Sequence, residues 1–276
     1  MIPVSNEAPH LIRLSQVLAE RQTNVEAILT AVTVSGTSSV YLTVSALSRR
    51  IDLMIPYHPD ALAAIAPHLE PPQAPPRAML RIFTDGDRLD AGLVIAGPVP
   101  ARDAVDQLAP APVRDAWLAA VDKLLAVPGA GIISRVTFLT KQRGVIGVGY
   151  PDREPDAEDR FLRTIDEVAG QLGVAQTRLT MWKALHPTLG PGALSVLTEC
   201  TPIGPAPQLG FLYGNATWDQ AVTVANKFAD PARSRQIAAG LGTLAGALQS
   251  DEPRGLQIDI GPAGLDVSVW IVLRPS

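Results

Sequence analysis

Five times along this chain, two short stretches of alternating apolar and polar residues come as a pair, at about 39–57, 78–96, 134–150, 193–213 and 255–273, and each of the first four pairs is followed by a helix-like stretch. Alternation with a period of two marks strands with one buried face, so the pattern predicts about ten antiparallel strands with helices inserted after the hairpins. Few architectures accept that order. One is an α+β fold in which a ten-stranded antiparallel β-barrel, solvent-filled inside, is surrounded by α-helices, the whole of 1–276 forming a single domain.

The faces of the strands separate cleanly. Val40, Leu42 and Val44 oppose Tyr41, Thr43 and Ser45; Ile51, Leu53 and Ile55 oppose Arg50, Asp52 and Met54; Leu80 and Ile82 oppose Arg81 and Phe83. Near the end, Leu256, Ile258 and Ile260 oppose Gln257 and Asp259, and Val267, Val269 and Ile271 oppose Asp266, Ser268 and Trp270. A sheet covered by helices turns its aliphatic side to them, which leaves the second set either in water or around a lumen. An open sheet with one wet face is the alternative. Tyr41, Phe83 and Trp270 on the polar side weigh against it, because large aromatics are uncommon on a bare wet face.

Between the hairpins the spacing predicts a helix from Ala8 to Val32 with a pause at Gln22-Thr23-Asn24, a short one in 59–69, and helical sequence over 101–127 broken at Pro110 and Pro112. The segment EPPQAPPR (70–77) is an extended connector. A further helix begins at Asp156, turns Phe161, Leu162, Ile165, Val168 and Leu172 inward and stops at Gly173. Arg178–His186 reads as a strand or a helix-to-strand connection. Thr217 and Gln220 fit a capping box opening a later helix.

Composition narrows the function. A net charge of −4 without a Lys/Arg run argues against nucleic acid. One cysteine, Cys200, excludes an internal disulfide framework and a Cys-rich zinc site. The start lacks the regions of a signal peptide, and no run reaches the ~18 apolar residues of a membrane span; a cytoplasmic setting without a membrane partner is the expectation. Walker, Rossmann, HExxH, GxSxG and DDxxD-type motifs are absent from the sequence.

Five helix-plus-hairpin units in tandem resemble the ABBA (PT-barrel) aromatic prenyltransferases of bacterial secondary metabolism, a fold of five α-β-β-α units. The local likeness lies in SSVYLTVSALSRRIDLMIPYH, in ISRVTFLTKQRGVIGVGYPD followed by a helix ending in QLGV, and in WKALHPTL. The resemblance implies transfer of an isoprenoid from its diphosphate to an aromatic or indolic acceptor. It places Asp52 at the position of a magnesium-associated aspartate, so magnesium is an open cofactor expectation, and His186 where the family often has a lumen tyrosine. That chemistry needs cations on the diphosphate, aromatic walls around the allylic cation, and a base for the final proton. Where the family gathers Lys, Arg and Tyr, the matching positions here are Gly92, Ile146 and Val267 or their neighbours.

The candidates follow. Asp52, His186 and Glu199 are candidate proton-transfer residues. Arg50, Arg81, Arg135 and Lys183 are candidates for the diphosphate, and Tyr41, Met54, Phe83, Trp182, Tyr213 and Trp270 for the cavity wall. Each has a plainer alternative: an Asp52 salt bridge to Arg50 or Arg81, a surface-turn His186, or aromatics packed in the core. A cyclase or isomerase on the same barrel, acting without a diphosphate, and a non-catalytic binder of hydrophobic small molecules are the competing functions. Monomer and homodimer both remain open.

Overall fold

A computed structural model describes residues 9–21, 24–67, 78–86, 88–96, 101–109, 111–126, 135–139, 143–150, 158–189, 194–201, 204–227, 231–248, 253–262 and 264–274. The long first helix is two: α1 (Pro9–Glu20) and α2 (Val25–Val34). The hairpin β1 (Val40–Ser45) and β2 (Arg50–Pro56) follows, then α3 (Pro59–Ile65). β3 (Met79–Asp85) and β4 (Arg88–Ala96) flank the expected Asp-Gly turn, where Gly86 takes a φ of +60° that suits a residue without Cβ. The predicted break in the next helical stretch separates α4 (Ala101–Leu108) from α5 (Arg114–Leu125). β5 (Arg135–Leu139) and β6 (Arg143–Tyr150) form the third pair.

α6 (Glu158–Leu172) buries Phe161, Ile165, Val168 and Leu172, and ends where Gly173 adopts φ +73°. The following segment is a helix, α7 (Gln176–Leu185), and this corrects the strand reading of Arg178–His186. Leu179, Trp182 and Leu185 share one buried stripe, a helical spacing that overrides any local alternation. After β7 (Leu194–Thr201), the two-residue β8 (Gly204–Pro205) and β9 (Leu209–Gly214), helix α8 (Trp218–Asn226) opens on Thr217. Its capping box is complete: the Thr217 hydroxyl accepts from the Gln220 N–H, and the Gln220 side chain accepts from the Thr217 N–H. α9 (Pro231–Leu248), β10 (Gly255–Gly261) and β11 (Gly264–Leu273) complete the chain. The starts expected at Ala8 and Asp156 and the connector 70–77 lie outside the described residues.

Every strand pairing is antiparallel. The ladders run β6-β5-β4-β3-β2-β1-β11-β10-β9-β7-β8, and β6 also pairs with β7 from Gly144–Cys200 to Tyr150–Leu194. The sheet is therefore curled, and its ladders return on themselves. Helices cover the outside: α1 lies against β11, α3 against β3 and β4, α5 against β6 and β7, and α7 against β10. The aliphatic faces read from the sequence meet these helices. Val40, Leu42, Val44, Ile51, Leu53, Ile55, Leu80, Ile82 and the matching residues of β10 and β11 are fully buried, each worth about 1.5–3 kcal/mol relative to exposure. With that side committed to the helices, the polar face of each strand turns to the inside of the curl.

Candidate active site

The inward faces enclose a cavity of about 120 Å³. Its wall carries Arg50 and Asp52 of β2, Arg81 and Phe83 of β3, Arg88 and Asp90 of β4, Glu199 of β7 and Asp259 of β10. Among the described residues the lining thus holds three arginines against four carboxylates. Charges at this depth persist only when paired, and two pairs are explicit. Arg81 Nε donates to both oxygens of Asp52 at 2.7 and 2.8 Å, and Arg81 Nη2 also donates to Asp52 Oδ2. The residues are 9% and 8% exposed. They are diagonal neighbours, since Asp52 stands opposite Phe83 and Arg81 opposite Met54.

Arg50 Nη2 donates to Asp259 Oδ2 at 2.8 Å. Burial lowers the Arg50 pKa, but Asp259, Asp266 and Asp52 raise it more, so the net direction is up and the guanidinium stays charged. Asp266, register partner of Asp259 on β11, moves the other way: burial and then the Asp259 charge raise its pKa, against the pull of Arg50 and hydrogen bonds from Ser45 and the Val267 N–H. Glu199 Oε2 accepts from Gln208 Nε2 at 2.6 Å.

The remaining wall candidates sort into two groups. Tyr41, Met54 and Trp270 share the inner face, one register step from the cavity, with the Tyr41 and Trp270 rings stacked at a centroid distance of 6.5 Å. Gly255 lets the Trp270 ring lie there, because a Cβ at that position would come within 3.0 Å of it and 2.5 Å of the Tyr213 carbonyl.

Trp182, Tyr213 and His186 are on the other side of the sheet, which corrects their placement in the lumen. Tyr213 shares its face with Phe211, in register with the outward Leu256. Its hydroxyl accepts from Trp182 Nε1 at 2.9 Å and lies 2.6 Å from His186 Nδ1. His186 is buried beside Tyr213 and Trp182 rather than exposed in a surface turn. Lys183, on α7, pairs with Asp166 of α6, away from the cavity. Arg135 opens β5 opposite Gly147; its side chain lies outside the described residues.

Arg88, Asp90 and Asp259 were not among the site candidates. The signal for them was present, since Arg88 and Asp90 alternate with Leu89 and Ala91, and Asp259 with Ile258 and Ile260. Burial holds the Cys200 thiol up to about 12, which leaves it inert. Groups of three or more His, Cys, Asp or Glu able to hold a metal ion are absent among the described residues. Asp52 is bound through both oxygens to Arg81, and that adjacent positive charge disfavours a second cation such as magnesium on the same carboxylate.

A curled antiparallel sheet ringed by helices around a polar cavity is the fold of the ABBA aromatic prenyltransferases. Solved structures carry this likeness along nearly the whole chain. NotF prenyltransferase aligns with a TM-score of 0.67 at 11% identity, over 96% of this chain and 93% of its own. The 5-dimethylallyltryptophan synthase of Streptomyces coelicolor aligns with a TM-score of 0.62 at 11% identity, over 94% and 95%. A 6-dimethylallyltryptophan synthase of Micromonospora olivasterospora, solved in complex with DMASPP and Trp, aligns with a TM-score of 0.53 at 11% identity, over 97% of each chain. Neither a family sequence model nor a curated protein sequence matches the chain. At such identity the likeness establishes the fold alone.

Proposed function

We propose that this chain is a prenyltransferase-like enzyme of natural-product biosynthesis, moving a short isoprenoid from its diphosphate to an aromatic or indolic acceptor inside a ten-stranded barrel of five α-β-β-α units. The observation that carries the reading is a cavity bearing Arg50, Arg81 and Arg88 within a fold shared with aromatic prenyltransferases. In the reaction the allylic C–O bond breaks with its electron pair leaving on the diphosphate, where arginines stabilise the developing charge. Phe83 in the wall offers a ring face to the cation, and Tyr41 and Trp270 stack on each other further along the inner face. The test is thermal stabilisation by dimethylallyl diphosphate, geranyl diphosphate and inorganic pyrophosphate, followed by product analysis with an indole acceptor. Stabilisation by dimethylallyl diphosphate that disappears in Arg50→Gln/Arg81→Gln supports the reading; no stabilisation by any of the three defeats it.

A second reading has its own support. Arg50 and Arg81 already face carboxylates, so a diphosphate competes with Asp259 and Asp52 for them. That balance favours a cyclase or isomerase on the same barrel, with Asp52 or Glu199 moving protons and no diphosphate substrate. Conversion of a single hydrophobic substrate without an added donor would select it.

A further inference from the structure

Asp259 stands on β10, and its carboxylate is fixed from three sides. Arg50 Nη2 donates to Oδ2 at 2.8 Å, and Gln257 Nε2 donates to Oδ1 and Oδ2 at 2.8 and 3.0 Å. The third side is Gly210, the register partner on β9, where a Cβ would lie 2.6 Å from Oδ1. Gly210 and Asp259 both line the cavity, so the missing Cβ is what lets this oxygen sit at the wall.

The contrast with Asp52 is chemical. Arg81 reaches both oxygens of Asp52, whereas Arg50 donates to Oδ2 of Asp259, and Oδ1 is held by a neutral amide. Among the described residues four lining carboxylates stand against three lining arginines, and Asp266 adds a further acidic group beside Asp259 on the next strand. Around Asp259 the lining thus offers acceptors to a cation, while Arg50, Arg81 and Arg88 offer donors to an anion.

We infer that Asp259 is a catalytic carboxylate of this cavity, set to hold negative charge against a cationic intermediate and to take the proton that the acceptor ring releases. This rests on the proposed transfer reaction and names a residue for it. The acceptor's π pair forms the new C–C bond to the allylic carbon, the resulting ring cation lies against Oδ1, and the ring C–H bond then breaks. Its electron pair restores the aromatic system and its proton goes to the Asp259 carboxylate.

The charge can be tested without turnover. Isopentylamine, protonated at neutral pH, and isopentyl alcohol differ in charge at nearly equal shape and fit a small cavity. Calorimetry on the full chain should show the ammonium binding roughly tenfold tighter, the scale of one charge-assisted hydrogen bond, with the ratio falling to about one in Asp259→Asn. Gly210→Ala keeps every charge but pushes on Oδ1, and should lower the same ratio if Asp259→Asn fails to fold. Equal binding of the two compounds by wild type, or a ratio unchanged in both variants, overturns the inference. With dimethylallyl diphosphate and ring-deuterated indole, Asp259→Asn should slow kcat and acquire a primary hydrogen isotope effect absent from wild type. If wild type forms no prenylated product, the transferase reading fails, while the amine-to-alcohol ratio still decides whether Asp259 holds charge for a cationic ligand.

Discussion

Arg81 and Asp52 are buried together, and neither tolerates loss of the other. Removing one partner of a buried pair leaves an uncompensated charge and costs about 3–5 kcal/mol, whereas replacing both by apolar groups is often neutral. Arg81→Met is therefore expected to destabilise the protein by about that amount and Arg81→Met/Asp52→Leu far less, as measured by urea denaturation. Asp266 makes a pH-dependent contribution of known sign. Its pKa is raised in the fold, so its favourable contribution is complete below the unfolded value of about 3.9 and is lost as pH rises through the folded value. Asp266→Asn should accordingly melt higher than wild type at pH 7, with the gap closing towards pH 4; an unchanged gap across that range would refute the assignment. These side chains were legible in the sequence because they alternate with Ile, Leu and Val. Their pairing was not, since Asp52 and Arg81 are diagonal partners whose meeting depends on the register of two strands.

At the scale of elements, strands with a polar face could be oriented from sequence and those without one could not. β9 alternates Leu209, Phe211 and Tyr213 with Gly210, Leu212 and Gly214, so polarity gave no clue to its inner side, and Tyr213 was assigned to the lumen. Its hydroxyl is instead accommodated behind the sheet by Trp182 and His186. Tyr213→Phe leaves those two buried groups without it and should cost about 1–3 kcal/mol. The readout is chemical denaturation together with the indole NMR signal of Trp182; a variant as stable as wild type would contradict this network. The helical period of Arg178–His186 is hard to read in sequence because α7 has only ten residues, starts just after the Gly173 stop, and shows its buried stripe in three residues, Leu179, Trp182 and Leu185. Helix placement has an equally local determinant in α9. A Cβ on Gly240 would lie 2.0 Å from the Ala46 carbonyl oxygen, backbone that cannot yield without moving the β1–β2 turn. Gly240→Ala, which helix propensity alone would favour by about 1 kcal/mol, is expected to lower the melting temperature.

For the whole molecule the deciding contact is the ladder between β6 and β7. Hairpin pairings follow from adjacency in sequence and were readable; this one joins segments separated by α6 and α7, and nothing in either strand names its partner. Its consequence is large, because without it β6 would be an edge presenting unpaired N–H and C=O groups to water. With it, the cavity wall runs without interruption from Val145 of β6 to Glu199 of β7, which are register partners. Native-state hydrogen exchange distinguishes the two arrangements. Hydrogen-bonded amides of β6 facing β7 should exchange only through opening of the sheet, as slowly as those of β1 facing β11, because breaking the ring exposes the core beneath it. Exchange in β6 that is orders of magnitude faster than in β1 would mean a curl that stays open there, and the carboxylates and arginines of the two sides would then face bulk water, too strongly screened to govern a reaction.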